Sequence, residues 1–419
     1  MRVNYKFFFL FVFVVLVVRD NLCAQSISTP YSIYGIGDID SKTYGRTSGM
    51  AVTGIALSSS THIINSNPAS LTSLEQSFFN ASVSTAAKFV TYKGESITAG
   101  NSTNNDFWIK GFSLATKINK FWATNVGFGQ FSNVSYLVSG YRRVEGSTRE
   151  YFAGYQGDGG LNEYYWSNGI SIGKHFSVGV KSAVIAGPVN QTETIYDDAL
   201  QSTITTTQRD YYGNLRFQYG ALYKTSLGKN WDLSIGGRYS TRNKLSSQRE
   251  ITVLQDTSTL VKDRFITENR FWLPQSYAAG IALRHNKKTT FTVDYTQENW
   301  ADLKVRGTGW KYVDNKRLAA GVEFSNFFKQ LKLPVQKNLF QVGAFYNNSY
   351  LQVNGKQINA MGVTAGLGGW LSGNLQYNIA GEYGTRGRTD NGLIRENYLQ
   401  FTFSVSYRDF LLSKGRRYN

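Results

Sequence analysis

From Phe78 almost to the end of the chain, apolar and polar residues alternate with a period of two, the spacing of a strand whose faces meet different surroundings. In the first such run Phe79, Ala81, Val83, Ala87 and Phe89 share one face, and Asn80, Ser82, Ser84 and Lys88 the other. In the last, Leu399, Phe401, Phe403, Val405 and Tyr407 alternate with Gln400, Thr402, Ser404 and Ser406. The polar face keeps ionisable residues in mid-strand, among them Lys181, Arg216, Arg238, Asp294, Glu323 and Glu382, while Phe, Trp and Tyr cap the apolar face. Polar inside, apolar outside and aromatic at both ends is the arrangement of a strand-built membrane wall. The pattern therefore predicts an all-β fold, a transmembrane antiparallel β-barrel. Short polar turns at 119–120, 173–175, 228–230, 285–288 and 372–374 alternate with longer connections near 94–103, 154–161, 197–203, 255–260, 301–311, 354–357 and 387–393. That rhythm gives about fourteen strands, with 121–152 and 330–341 open to other divisions. An even count returns the chain to the side on which it began, the periplasmic side if short turns lie there.

Residues 25 to 74 break the pattern. They are rich in Ser, Thr, Gly and Ile, nearly uncharged and without sustained periodicity. So long an irregular stretch is unusual in a compact soluble domain, but inside a barrel it is sheltered by protein or by lumenal water. It predicts an N-terminal hatch at 25–75, a barrel at 76–410 and a basic tail at 411–419. Asn67-Pro68-Ala69 ends the hatch, where Pro68 holds Asn67 extended and the Asn67 side chain is free to satisfy wall backbone groups. A turn that simply begins the first strand is the alternative at the same residues.

Met1 to Ala24 has the build of a secretory signal: Arg2 and Lys6, the apolar run Phe7–Val18, and Ala24 before Gln25. Twelve apolar residues fall short of the ~20 that a membrane helix needs. Cys23, the only cysteine, follows Leu22 rather than a small residue, which favours loss with the leader over lipid attachment. Neither disulfides nor thiolate metal sites then support the fold. Gly 41, Tyr 27 and Phe 27 against Pro 5 suit a large sheet. The net charge of +17 would suggest nucleic acid in a cytoplasmic protein; export points to anionic lipid headgroups or solutes instead. His62, His175 and His285 lie far apart, and no metal, catalytic or nucleotide spacing is present. No cofactor and no enzymatic activity are expected.

Gly45-Arg46, Gly49-Met50-Ala51, Ala56, Asn65 and Asn67-Pro68-Ala69, running into Phe78-Phe79, resemble the FadL-type hydrocarbon transporters of bacterial outer membranes. The resemblance implies a fourteen-stranded barrel with an N-terminal hatch, an outer-membrane location with both mature termini in the periplasm, and a hydrophobic ligand such as a long-chain fatty acid. It also implies a kink in the third strand that opens the wall to lipid, for which Gly127 and Gly129 are candidates. The apolar route would use Tyr31, Ile33 and Tyr34 of the hatch with Tyr136, Leu137 and Phe152 of the third strand and its loop. Arg142, Arg143 and Arg149 would receive a carboxylate headgroup. The alternative is a barrel that transports nothing and scaffolds an envelope or type IX-like secretion assembly, with its basic tail as the handle for a protein partner.

Overall fold

The computed structural model describes residues 29–39, 45–95, 97, 102–143, 149–198, 201–265, 271–330 and 333–411. The expected leader, Cys23 and the tail beyond Leu411 lie outside the described residues. Fourteen wall strands follow in order: β1 Phe78–Lys93, β2 Thr103–Lys117, β3 in two pieces, Trp122–Gln130 and Ser132–Arg143, and β4 likewise, Glu150–Gly159 and Asn162–Ile172. Next come β5 Phe176–Asp197, β6 Ser202–Leu227, β7 (Trp231–Ser240, Asn243–Gln255) and β8 (Ser258–Phe265, Phe271–Leu273, Ser276–His285). The wall is completed by β9 Thr289–Glu298, β10 Asn315–Gln330, β11 Leu333–Val353, β12 Lys356–Ser372, β13 Leu375–Gly387 and β14 Arg395–Phe410. Each pairs antiparallel with the next, and a ladder from Phe78–Phe410 to Lys93–Arg395 joins β1 to β14. The sheet thereby closes into a barrel.

The two faces are those of a protein turned outward to lipid. Val83, Phe89, Phe291, Val293, Phe401 and Phe403 stand exposed on the outside, whereas Ser84, Asp294, Glu323, Gln341 and Ser404 are buried within. Burying carboxylates while exposing phenylalanine is unfavourable in water and favourable in a bilayer around a polar lumen. Strand β9 has ten residues. At ~3.3 Å per residue and a tilt of ~40° it spans ~25 Å, the height of the apolar band.

Strands β5 and β6, with 22 and 26 residues, run far past that band. Two of the expected long loops are therefore tight turns at the ends of overlong hairpins, Asp256-Thr257 and Asn354-Gly355, and at the expected loop 197–203 the flanking strands reach Asp197 and begin again at Ser202. The expected loop at 154–161 is mostly strand, broken only at Gly160-Leu161. Stretches such as 190–194 and 205–208 are polar on both faces, so alternation no longer marks them as strand.

Residues 29–39 and 45–77 run along the inside of the wall. They contribute short 3-10 turns at Pro30–Ile33, Ser48–Met50 and Pro68–Ser73 and a two-residue strand, Asp38–Ile39. The main apolar core is inside the barrel, at the long-hairpin rim, where Tyr31 and Ile36 meet Tyr136, Trp300, Tyr312 and Tyr350.

Candidate functional site

Backbone contact fastens the inner segment from 45 to 74, and wall glycines make room for it. A Cβ on Gly220 would lie 2.1 Å from Asn67 Oδ1, one on Gly236 2.1 Å from Ile55 O, and one on Gly343 2.5 Å from the carbonyl carbon of Met50. These glycines meet others across the ladders, Gly179 opposite Gly220, Gly236 opposite Gly280 and Gly321 opposite Gly343. Side chains near them complete the hold. Asp294 Oδ2 accepts from Gly54 N at 2.6 Å and Ile55 N at 3.0 Å, while Thr364 Oγ1 donates to Gly49 O and accepts from Ala51 N, both at 2.8 Å. Arg46 pairs with Glu323. It also approaches His62 Nδ1 at 3.0 Å, so that nitrogen is the acceptor; burial first, and the Arg46 charge second, hold His62 well below the usual histidine range.

Asn67, buried and extended (φ −143°, ψ 117°), ends this segment. Its Nδ2 donates to Ile55 O at 2.8 Å and to Ala221 O on β6 at 2.9 Å; its Oδ1 accepts from Ala69 N at 3.1 Å. Pro68 and Ala69 then open a 3-10 turn against Gly179.

The segment 29–39 belongs to a different feature, a seam in the wall. The β2–β3 ladder covers only Gly111–Gly129 to Lys117–Ala123. At Phe131 strand β3 turns away from β2, and Phe131 N and Ser132 N both donate to Leu161 O, at 2.8 and 3.0 Å. On the edge so turned, Asp38 and Ile39 pair with Asn133 and Ser132, and Ser32 Oγ bonds both Ser135 N and Ser135 O at 3.1 Å. The inner strand is held from the far wall as well: Arg386 on β13 binds Asp38 at 2.8 Å, and Tyr350 Oη donates to Gly37 O at 3.1 Å. Beside it lies a cavity of about 140 Å³ lined by Asp38, Lys88, Asp106, Arg317, Glu382 and Arg386 among others. At ~30 Å³ per water it holds about five waters, below the ~300 Å³ of a small-ligand pocket.

The residues expected from the sequence are sorted differently by the fold. Gly127 and Gly129 lie within the regular ladder, and the bend comes at Phe131. The glycine at 127 instead clears Tyr165, whose Oη would lie 2.3 Å from a Cβ there; at Gly129 the nearest atom would be 3.7 Å away. Tyr31, Ile33, Tyr34 and Tyr136 come together in the inner apolar core. Leu137 and Phe152 do not join them; both are exposed, on the opposite face from the buried Tyr136 and Ala153. Arg142 pairs with Glu193 and Arg143 with Glu150, so neither guanidinium faces the lumen cavity uncommitted; Arg149 is exposed. Asp38, Arg386 and Asp294 are site residues that the sequence pattern does not mark. Their only signal was a charge in mid-strand or in a sparsely charged segment.

Solved structures with this fold include a FadL homologue of Pseudomonas aeruginosa (TM-score 0.60, 12% identity, 90% of this chain and 100% of that one). The toluene transporter TodX of Pseudomonas putida superposes with a TM-score of 0.57 at 13% identity, over 89% of this chain and 100% of its own. The toluene transporter TbuX of Ralstonia pickettii gives 0.53 at 12%, over 86% and 97%. No curated protein matches the chain. At such identity these likenesses establish the fold, and the FadL-type resemblance holds at that level. The BamG family model matches residues 6–419, nearly the whole length, and the chain belongs to the BamG family.

Proposed function

We propose that the chain is an outer-membrane channel for small hydrophobic molecules, with the N-terminal segment as its hatch and a lateral exit at the seam between β2 and β3. The observation that carries the reading is the seam itself, where the wall opens and two residues of the inner segment, Asp38 and Ile39, are stitched to its edge. A gate there would pass a molecule from the lumen into lipid without crossing a second polar layer. Toluene transporters and a monoaromatic hydrocarbon channel are among the solved structures of like fold, which supports a small apolar solute. In this reading the long hairpins face outward from the cell, the termini lie in the periplasm, and lipid surrounds the apolar band.

A second reading, a closed barrel that scaffolds an envelope assembly, is favoured by a separate observation. The apolar side chains of the hatch are packed into the core at the long-hairpin rim, and the cavity beneath is lined by charges. The experiment that decides is uptake of labelled toluene and labelled oleate in a deletion strain, with the wild-type protein and with Ile39→Cys/Ser132→Cys. These two positions face each other across the inner ladder, within reach of a disulfide. Channel function predicts uptake above the deletion strain, loss of that uptake on oxidation and return on reduction. Equal uptake in the deletion and wild-type strains overturns the channel and leaves the scaffold.

A further inference from the structure

Beyond the seam the outer half of β3 leaves the cylinder and becomes the border of a projecting sheet. Its one ladder partner past Ser135 among the described residues is β4, through Leu137–Gln156 to Arg143–Glu150. The parity of its backbone groups can be read from its own contacts. Ser135 N and O both point away from β4, to Ser32 Oγ, and Ser132 N points toward β4, to Leu161 O. With a period of two, the N–H and C=O of Leu137, Ser139, Tyr141 and Arg143 also point away from β4. These residues are exposed, Tyr141 at 75% and Leu137 at 55%, and Tyr141 stacks edge-on with Phe152, also exposed, at 5.7 Å. At ~3.3 Å per residue Tyr141 stands well clear of the apolar band, so lipid does not account for these side chains.

We propose that Leu137 to Arg143 is a docking edge that takes up an extended segment of a second protein as an added antiparallel strand, its apolar side chains resting on Leu137, Tyr141 and Phe152. The occupant is a strand because this same edge already receives one: Asp38–Ile39 adds antiparallel at Ser132–Asn133, and Ser32 continues the bonding at Ser135. Among the described residues, the unpaired length begins where that internal addition stops. Main-chain bonds would supply affinity, and alternate side chains specificity. A second copy of this chain is a poor occupant. Two barrels in one bilayer present the edge running the same way from the membrane, so they cannot pair antiparallel. The inference rests on edge geometry and not on the channel reading; peptide binding and solute uptake are separate measurements.

The probe is a fluorescein-labelled octapeptide of alternating valine and threonine with glutamates at its ends, and a twin N-methylated along one edge. Binding to the full chain in detergent is read by fluorescence polarisation. Ser139→Pro removes an N–H that the β3–β4 ladder does not use, so the hairpin keeps its own bonds; Ser139→Ala keeps that N–H. The expected result is binding by wild type and Ser139→Ala, at least tenfold weaker binding by Ser139→Pro, and none by the methylated twin. No binding by wild type, or equal binding by Ser139→Pro or by the twin, overturns the proposal. If Ser139→Pro loses heat-modifiable gel mobility and is misfolded, the methylated twin decides alone.

Discussion

Asn67 shows how much of the inner segment depends on single side chains. Its amide joins the loop at Ile55, the wall at Ala221 and its own turn at Ala69. Asn67→Ala removes a donor from Ile55 O and the second donor of Ala221 O, whose ladder partner is Gly237, at a net cost of ~0.5–1.5 kcal/mol per bond. The expected outcome is a loss of about 2 kcal/mol in detergent unfolding and a higher single-channel conductance in planar bilayers. Gly220→Ala tests the same contact from the other side, since its Cβ would lie 2.1 Å from Asn67 Oδ1; it should act in the same direction. Gly129→Ala, whose Cβ would be 3.7 Å from the nearest atom, should change neither measurement. An Asn67→Ala protein with wild-type stability and conductance would mean that the neighbouring backbone contacts suffice to hold the turn. Both the Asn-Pro pair and the abundance of glycine were visible in the sequence. That certain glycines of β5, β6, β7 and β11 lie under particular residues of the inner segment was not, because strands about 110 to 290 residues away make the contact.

Two elements that look continuous in sequence are held by different means. Residues 45–74 are bound by backbone contact to many strands, whereas 29–39 is held mainly through side chains and a two-residue ladder: Ser32, Tyr350, the Asp38–Arg386 pair, and the bonds of Thr29 to Glu396 and of Tyr31 to Ile394. Arg386→Ala strands a mostly buried carboxylate, and losing one partner of a buried pair is far costlier than losing a surface one. Hydrogen exchange should therefore quicken in 29–39 and stay slow in 45–74. Uniform quickening would show that the whole segment opens as one unit. The third strand illustrates the limit of local reasoning at this scale. A bend was expected from Gly127 and Gly129, yet it falls at Phe131, where two consecutive N–H groups converge on Leu161 O. The bend is created by a hydrogen-bonding choice of the next strand, which no residue type in β3 reports.

For the whole molecule, orientation is the property most open to test. Asn354-Gly355 lies at the tip of the β11–β12 hairpin, on the long-hairpin rim. Lys356, next to that turn, is exposed, so Lys356→Cys is accessible there. A membrane-impermeant maleimide should label it in intact cells, and labelling only after lysis would reverse the assigned topology. Period-two alternation and the rhythm of short turns determined the class, the closed barrel and the count of fourteen, because a lipid-facing wall must repeat polar-in and apolar-out on every strand. The irregular, sparsely charged stretch ahead of Phe78 was equally plain as something other than wall. Past the membrane that constraint ends, so the long hairpins of β5 and β6 read as loops although they are strands. The seam, the Asp38–Arg386 tie, the separation of Leu137 and Phe152 from Tyr136, and the turned-out edge of β3 were decided by tertiary structure alone. Each depends on which strand lies opposite which, and pairing between distant segments leaves no periodic trace in either one.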